Sequence, residues 1–466
     1  MEVNVGKPIL AAGFCTALAL AAFAVARLAP PLDGLTPLGQ AVLGATLAGT
    51  ILWVSEAVPL GVTAMLVLAL LGLCPGLRLA DVAAGFTSDV TFFLVGAVAI
   101  GAAVETSGLA SRAARYLSRS AGGSPARLYA QMIAGFPVLA LMIPSAITRN
   151  AILIPAYRDA LTAMGVGQAG RAGRAVMLAL GMLNPLASSA LLTGGITSIT
   201  AATVLGGFSW LNWFALMAVP YYALLILGAV YLRFMVGRFE PGVLSTNAPL
   251  QHEPFSGAEL RTLAVLGVTS VLWFTDRLHG LSPAIPTLIG ASLLLLPGTG
   301  VLTWKAFEAR LSWGLILTVG TSLSLAVLMT RSGAAAWVGR FFLDHLSGLA
   351  AGPLVLIASL IAGTVLVHLA ITNLAACVAL LLPINATIAA SAGVNPLVTG
   401  LIITMVVDAV ILYPVQTASN LMAYESGYFG RADVRNLGLG MLMLTTLVAL
   451  LVLPYWALLG LPLASR

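Results

Sequence analysis

Apolar residues run in long stretches near 8–28, 37–56, 57–77, 89–110, 128–143, 148–163, 172–192, 210–236, 259–275, 282–301, 312–331, 352–370, 373–392, 395–412 and 437–462. A membrane-spanning helix needs roughly 20 consecutive apolar residues, and about a dozen of these stretches approach that length. They are continuous, whereas the strands of a transmembrane β-barrel alternate between lipid-facing and lumen-facing side chains. Gly, Pro and polar residues interrupt too many of the stretches for each to be a full span. The pattern therefore predicts an all-α polytopic membrane protein with about eleven transmembrane helices and two re-entrant hairpins. The first run follows Lys7 as the apolar part of a signal peptide would, but its length and the spans that follow at once predict a retained helix.

One long hydrophilic stretch, Phe239–Arg261, divides the chain near its middle and reads as a cytoplasmic linker between halves 1–238 and 262–466. The halves resemble each other. TFFLVGAVAIGAAVETSGLASRAARYL in the first and WGLILTVGTSLSLAVLMTRSGAAAWVGRFFL in the second each carry an early Gly (Gly96, Gly320). Each then has Ser-Gly (Ser107-Gly108, Ser332-Gly333) and an amphipathic run with Arg. An apolar pair with a polar interruption follows in both: PSAITRNAILIP within 125–165, and HLAITNLAACVALLLP within 350–393. Matched interruptions in two similar halves are the mark of a repeat-built transporter.

Charge placement orients the halves. Arg112, Arg115, Arg119 and Arg127 precede the first interrupted pair and Arg158, Arg171 and Arg174 follow it, so both flanks are cytoplasmic by the positive-inside bias. A segment that starts and ends on one side is a re-entrant hairpin. Alternating outward from it places Lys7, Arg233, Arg238, Arg261, Lys305, Arg310, Arg431 and Arg435 inside too, and only Arg27, Arg78, Arg277, Arg331, Arg340 and Arg466 outside. The second pair then opens from the outer face, as inverted repeats require.

Composition agrees. Hydrophobic residues make up 60% and charged residues 8%, with a mean hydropathy of +1.03, far below the roughly 25% charge of a soluble domain. The net charge of +6 is spread singly over short loops and does not signal nucleic-acid binding. Cys15, Cys74 and Cys377 lie in apolar segments without metal or redox spacing. The absence of HExxH, GxSxG and helically spaced Asp pairs argues against an intramembrane enzyme.

Irregular backbone at membrane depth must line a cavity or be buried in protein, which makes the interruptions the candidate site. Ser145, Thr148, Arg149 and Asn150 form the first hairpin tip; Thr372 and Asn373 form the second. Two further interruptions follow: Thr193–Ser198, with Gly195 and Thr197, and Pro414–Asn420, with Thr417, Ser419 and Asn420. Hydroxyl, amide and freed carbonyl oxygens can hold a desolvated cation, and the N-termini of the returning half-helices offer N–H groups to an anion. Ser145, Gly195, Asn373 and Thr417 are the candidate cation ligands, and no cofactor other than such an ion is expected. A charge at the bilayer centre costs several kcal/mol and is a functional candidate by default. Arg149 can clasp a carboxylate or sulfate bidentately, or stand where a sodium ion would otherwise sit. His368 and Asp408 are the candidate coupling residues; a packing role for His368 and a buried structural pair for Asp408 are the alternatives. Glu56 and Glu105 read as interfacial.

ILWVSEAVPLGVTAMLVLALLGL (Ile51–Leu73), the TSGLASR run, the two hairpins and NLMAYESGYFGRADVRNLGLGM (Asn420–Met441) resemble the divalent anion:sodium symporter family over nearly the whole chain. The resemblance implies a homodimer in the inner membrane, with a scaffold and an elevator-like transport domain. It also implies a di- or tricarboxylate, or sulfate, held between the hairpin tips beside sodium. The family carries Ser-Asn-Thr at each tip, whereas this chain has Ser145-Ala146-Ile147 and Thr372-Asn373-Leu374. Arg149 resembles the Arg that follows the triplet in the family's exchanger-like branch. Sodium symport, sodium-independent exchange and proton symport remain open on these residues, with an anion channel or a sulfate or sulfonate transporter as the alternatives.

Overall fold

The computed structural model describes residues 9–464, apart from 56–57, 144, 207, 243–253, 299, 346–351 and 372–373. Glu56, Thr372 and Asn373 therefore lie outside the described residues. The described chain is helical, with no β-strand. Eight of its helices are long and apolar enough to cross a membrane, and four shorter apolar ones accompany them. Large apolar side chains face outward, Leu366 and Met443 being 69% and 75% exposed, which suits lipid rather than water.

The chain opens with α1 (Ile9–Leu28), α2 (Pro37–Ser55) and α3 (Leu60–Gly72). A first series follows: α4 (Asp89–Thr106), α5 (Leu109–Ser120), α6 (Pro125–Met142), α7 (Ala146–Ala163) and α8 (Arg171–Leu178). Helix α8 runs through a π-helical segment, Ala179–Leu183, into α9 (Asn184–Ser189); α10 (Ile196–Val204) and α11 (Trp210–Val236) complete the series. After α12 (Gly257–Phe274) and α13 (Ala284–Leu295) comes a second series, α14 (Trp313–Arg331), α15 (Ala334–His345), α16 (Pro353–Ala370) and α17 (Leu374–Ser391). It continues through α18 (Pro396–Ala409), α19 (Ala418–Tyr424) and α20 (Arg431–Leu451), and α21 (Leu453–Leu458) ends the chain.

The two series match element by element. Helices α4 to α7 have 18, 12, 18 and 18 residues, and α14 to α17 have 19, 12, 18 and 18. The repeated Ser-Gly has a physical reason. Gly108 and Gly333 close α4 and α14 with φ of +84° and +76°, the left-handed cap that costs glycine least. Three residues join α6 to α7 and three join α16 to α17, so the interrupted pairs are helix–break–helix units. Neither α6 nor α7 is among the eight long apolar helices, because Arg149, Asn150, Arg158 and Asp159 lower the hydropathy of α7.

Most of the buried core lies where α7 to α11 meet α17 to α20, and it includes the fully buried Trp210, Trp213 and Trp456. A smaller cluster joins α4, α12 and α13. Helix α12 starts at Gly257, inside the hydrophilic stretch, with Ser256 and Glu259 forming a reciprocal capping box. The Glu259 carboxylate also receives Arg112 of α5, Nε at 2.6 Å and Nη2 at 2.9 Å. The amphipathic α5 is thus pinned across the linker to the first turn of α12.

Glu259 is 4% exposed but keeps the Ser256 N–H at 2.7 Å, and the Arg112 side chain is 23% exposed, so removing Arg112 leaves a partly satisfied carboxylate, a loss of about 1–3 kcal/mol. Arg112→Ala is expected to lower the melting temperature of the detergent-purified protein sharply. The paired replacement Arg112→Met with Glu259→Met is expected to be milder. Equal losses in the single and double variants would show that a stranded Glu259 charge is not what destabilises the single variant.

Candidate functional site

The site begins with a missing N–H. Pro185 lies one residue into α9 and cannot donate to the preceding turn. The helix widens there, and Asn184 N–H bonds Ala179 O in the π manner. In that pattern Leu180 O would await the N–H of residue 185, which does not exist. Asn150 of the first hairpin fills the place, its Nδ2 donating to Leu180 O at 3.0 Å. A buried backbone carbonyl must find a donor, and here the donor comes from α7.

Asn150 is fully buried, and the same Nδ2 reaches Ser419 Oγ at 2.8 Å and Ser419 O at 3.1 Å. Its Oδ1 accepts from Asn184 Nδ2 at 2.7 Å. One amide therefore joins the first hairpin, the π-helical segment and α19 of the second series. Arg149, one residue earlier, is also fully buried. Its Nε donates to Asn184 Oδ1 at 2.9 Å, Nη1 to Ile143 O at 2.6 Å, and Nη2 to Asn184 O and Ser188 Oγ, both at 3.0 Å. These four acceptors are uncharged, so the guanidinium sits in a cage of carbonyl, amide and hydroxyl oxygens. At the tip, Ser145 caps α7 by accepting Thr148 N–H at 3.2 Å and is exposed.

The later interruptions share one construction. After α9, a 3-10 turn (Leu192–Gly194) and an extended Gly195 lead into α10. After α18, a 3-10 turn (Pro414–Gln416) and an extended Thr417 lead into α19. Their fastenings differ. The first break is held by indoles of α11: Trp210 Nε1 donates to Thr193 Oγ1 at 3.0 Å, and Trp213 Nε1 to Ser189 O at 3.2 Å. A Cβ on Gly194 would fall 1.9 Å from Ser188 O, so only glycine lets this break lie against α9. The second break is held to the second hairpin. Gln416 accepts Leu412 N–H at 2.7 Å and donates to Val410 O at 3.2 Å and His368 O at 3.5 Å. Tyr413 OH donates to Leu369 O at 2.8 Å.

Thr417 Oγ1 caps α19 through Asn420 N–H. Asn420 Nδ2 donates to Pro414 O, while its Oδ1 is buried and has no hydrogen-bond partner. His368 has Nδ1 on Ile371 O at 3.1 Å and a buried Nε2 without a partner. Asp408, at the end of α18, accepts from Tyr221 OH at 2.6 Å, with Thr197 and Ser189 beside it and the Ser189 hydroxyl donating to Pro185 O at 3.3 Å.

The predicted residues thus gather in two neighbouring groups. Arg149, Asn150, Ser419 and Asn420 surround the π-helical segment, and Thr197, Gly195 and Asp408 surround the end of α9. Sequence reading missed Asn184, Ser188, Ser189, Tyr221 and Gln416. The Asn-Pro pair inside an apolar run was the available signal for the first, since Pro inside a helix predicts a freed carbonyl.

The profile of the family described as the sodium:sulfate symporter transmembrane region matches residues 13–462. A Cupriavidus necator protein named only as a membrane protein is 25% identical over 95% of this chain and 92% of its own. The sodium-dependent dicarboxylate transporter SdcS of Staphylococcus saprophyticus is 24% identical over 90% of this chain and 86% of its own. Among solved structures, the YdaH transporter of Alcanivorax borkumensis superposes with a TM-score of 0.60 at 16% identity, covering 98% of this chain and 100% of that one. That likeness is one of fold.

Asn184→Ala removes acceptor and donor together, leaving Arg149 Nε and Asn150 Oδ1 each short of a bond. At about 1–3 kcal/mol for each buried group left unsatisfied, the variant is expected to unfold well below the wild type in a thermal melt. A melting temperature unchanged from wild type would show that the cage does not hold the hairpin.

Proposed function

We propose that this chain, which belongs to the sodium:sulfate symporter family, is a cation-driven secondary transporter of a small dicarboxylate or related divalent anion in the inner membrane. The observation that carries this reading is the Arg149 guanidinium, fully buried at the first hairpin tip and joined through Asn184 and Asn150 to broken helices of both series. Holding a cation at membrane depth costs several kcal/mol; an anion to be carried gives it a use. The SdcS relative, named for sodium-dependent dicarboxylate transport, supplies the substrate class.

In this reading the two series are inverted repeats, 1–238 and 262–466, joined by the cytoplasmic linker 239–261. Their hairpins, 125–165 and 350–393, open from opposite faces, and the unit works as an elevator within a homodimer. The anion lies between the tips, beside Ser145 and Thr148 on one side and Thr372 and Asn373 on the other. Thr197, Thr417, Ser419 and Asn420 line the approach from the breaks. Sodium fits one half of this frame better than the other. Around Arg149, the carbonyl, amide and hydroxyl oxygens of the kind that bind sodium already hold the guanidinium, so Arg149 acts as a built-in cation. At the second break, the unpartnered Asn420 Oδ1 is an acceptor for an ion. Asn373 and Thr417, rather than Ser145 and Gly195, then form the sodium-holding half.

Proteoliposomes are expected to accumulate labelled succinate when sodium is high outside, with saturable kinetics and competition by sulfate or other divalent anions. Arg149→Gln, which removes the caged positive charge whose attraction for the anion acts through space, is expected to lower uptake about tenfold or more. Wild-type rates in a folded Arg149→Gln protein would refute its role. Equal uptake in choline and sodium would remove the sodium site, and linear, non-saturating flux would identify a channel.

A further inference from the structure

Asp408 is a carboxyl group at membrane depth whose partners are of an unusual kind. It is 5% exposed and its hydrogen-bond partner is a hydroxyl, Tyr221 of α11 at 2.6 Å, with Thr197 of α10 and Ser189 of α9 close by. A hydroxyl, unlike an ammonium or guanidinium, both donates and accepts. The Tyr221 hydroxyl can donate to a carboxylate or accept from the O–H of a carboxylic acid, so this contact serves either protonation state.

The other titratable groups on elements packed against α18 are few. Helices α9 and α10 bring only hydroxyls. Helix α16 brings His368, engaged by Nδ1 with Ile371 O, and α17 brings Cys377. Helix α20 carries Arg431, Asp433 and Arg435 in its first turns, with Asp433 paired to Arg174 at 3.7 Å. Tyr221 alone is in hydrogen-bond contact with the carboxyl.

The position is as telling as the chemistry. Asp408 ends α18 directly before the second break, and its neighbours Ser189 and Thr197 flank the first. Arg149 is bonded to Ser188, the neighbour of Ser189 on the six-residue α9. One short helix therefore presents a buried cation and a buried acid on consecutive residues.

We infer that Asp408 is a proton-binding coupling site, and that a proton taken up there travels with the substrate anion. This rests on the transport reading above. The proton comes from water on the side to which the site is open, forms the O–H of the Asp408 carboxyl and is returned to water on the other side. Neutralising Asp408 removes a buried negative charge from the far side of α9, so the site then favours an arriving anion. The coupling is reciprocal: a bound anion raises the proton affinity of Asp408. A sodium ion at the second break is independent of this exchange. The close Tyr221 contact and full burial suit a proton better than a metal ion that needs a shell of oxygens.

The test uses wild-type protein in proteoliposomes with equal sodium on both sides and a substrate fully ionised at the assay pH. An inward proton gradient is expected to stimulate uptake several-fold, and substrate entry is expected to alkalinise the outer medium, read with a pH dye. Asp408→Asn, which mimics the protonated acid, is expected to lose both effects while retaining exchange of internal for external substrate. Stimulation or alkalinisation persisting in Asp408→Asn overturns the inference, as does wild-type uptake that responds to sodium alone. If Asp408→Asn does not fold, Tyr221→Phe decides, since removing one hydroxyl is expected to shift the pH midpoint of proton-driven uptake; an unshifted midpoint overturns the assignment. Failure of wild-type protein to carry any divalent anion under either gradient would instead refute the transport reading itself.

Discussion

The first hairpin depends on one carbonyl that the chain cannot satisfy by itself. Pro185 withholds the N–H that Leu180 O would accept. In lipid no water replaces it. The donor has to come from another element, and Asn150 provides it. That single requirement explains why an amide stands in the first turns of α7, why α7 lies against the π-helical segment, and why Asn184 orients the Asn150 side chain by donating to its oxygen. Arg149 then follows from adjacency. Placed one residue before Asn150, it falls against the same segment and satisfies oxygens of Asn184, Ser188 and Ile143.

Much of this architecture was legible in the chain. The apolar runs locate most helices to within a few residues, because length and continuity are all that a span requires. The Ser-Gly repeats marked the ends of α4 and α14, because a left-handed cap selects glycine. Thr193–Ser198 and Pro414–Asn420 were recognisable as breaks, since Pro, Gly and polar side chains cannot sit unassisted in a lipid-exposed span. What escaped was partnership. Ser188, Ser189 and Tyr221 are ordinary residues within apolar runs, and nothing local says that Ser188 meets Arg149 or that Tyr221 meets Asp408. Arg149 was legible as a charge within an apolar run, but which oxygens it would face depends on how α7 docks on α9, a contact across about 35 residues that carries no periodic signal.

The two later breaks show how one construction can be put to different uses. Each consists of a 3-10 turn, an extended residue and a short helix. The first is fastened by Trp210 and Trp213 to α11, and its Gly194 lies on the backbone of α9. The second is fastened by Tyr413 and Gln416 to the end of α16. Displacing the second hairpin therefore strains the second break directly, whereas the first break follows α11. Asn150 and Ser419 then link the two sides, so a change at one break is felt at the first hairpin without a long relay.

This arrangement gives the altered tip a physical meaning. Where the family resemblance implies Asn and Thr at the tip, this chain has Ala146 and Ile147, with polar residues following at Arg149 and Asn150. A mobile cation can leave its oxygens and has to be supplied from solution, whereas a guanidinium cannot leave. Its charge is paid for once, on folding, by the cage around it. A transporter with a permanent positive charge beside its substrate needs another group whose charge can change, or the loaded and empty states would differ only by the substrate. Among the described residues packed against α9, Asp408 carries a carboxyl able to do this, and the Tyr221 hydroxyl that donates to it is suited to a group that must be stable in both forms.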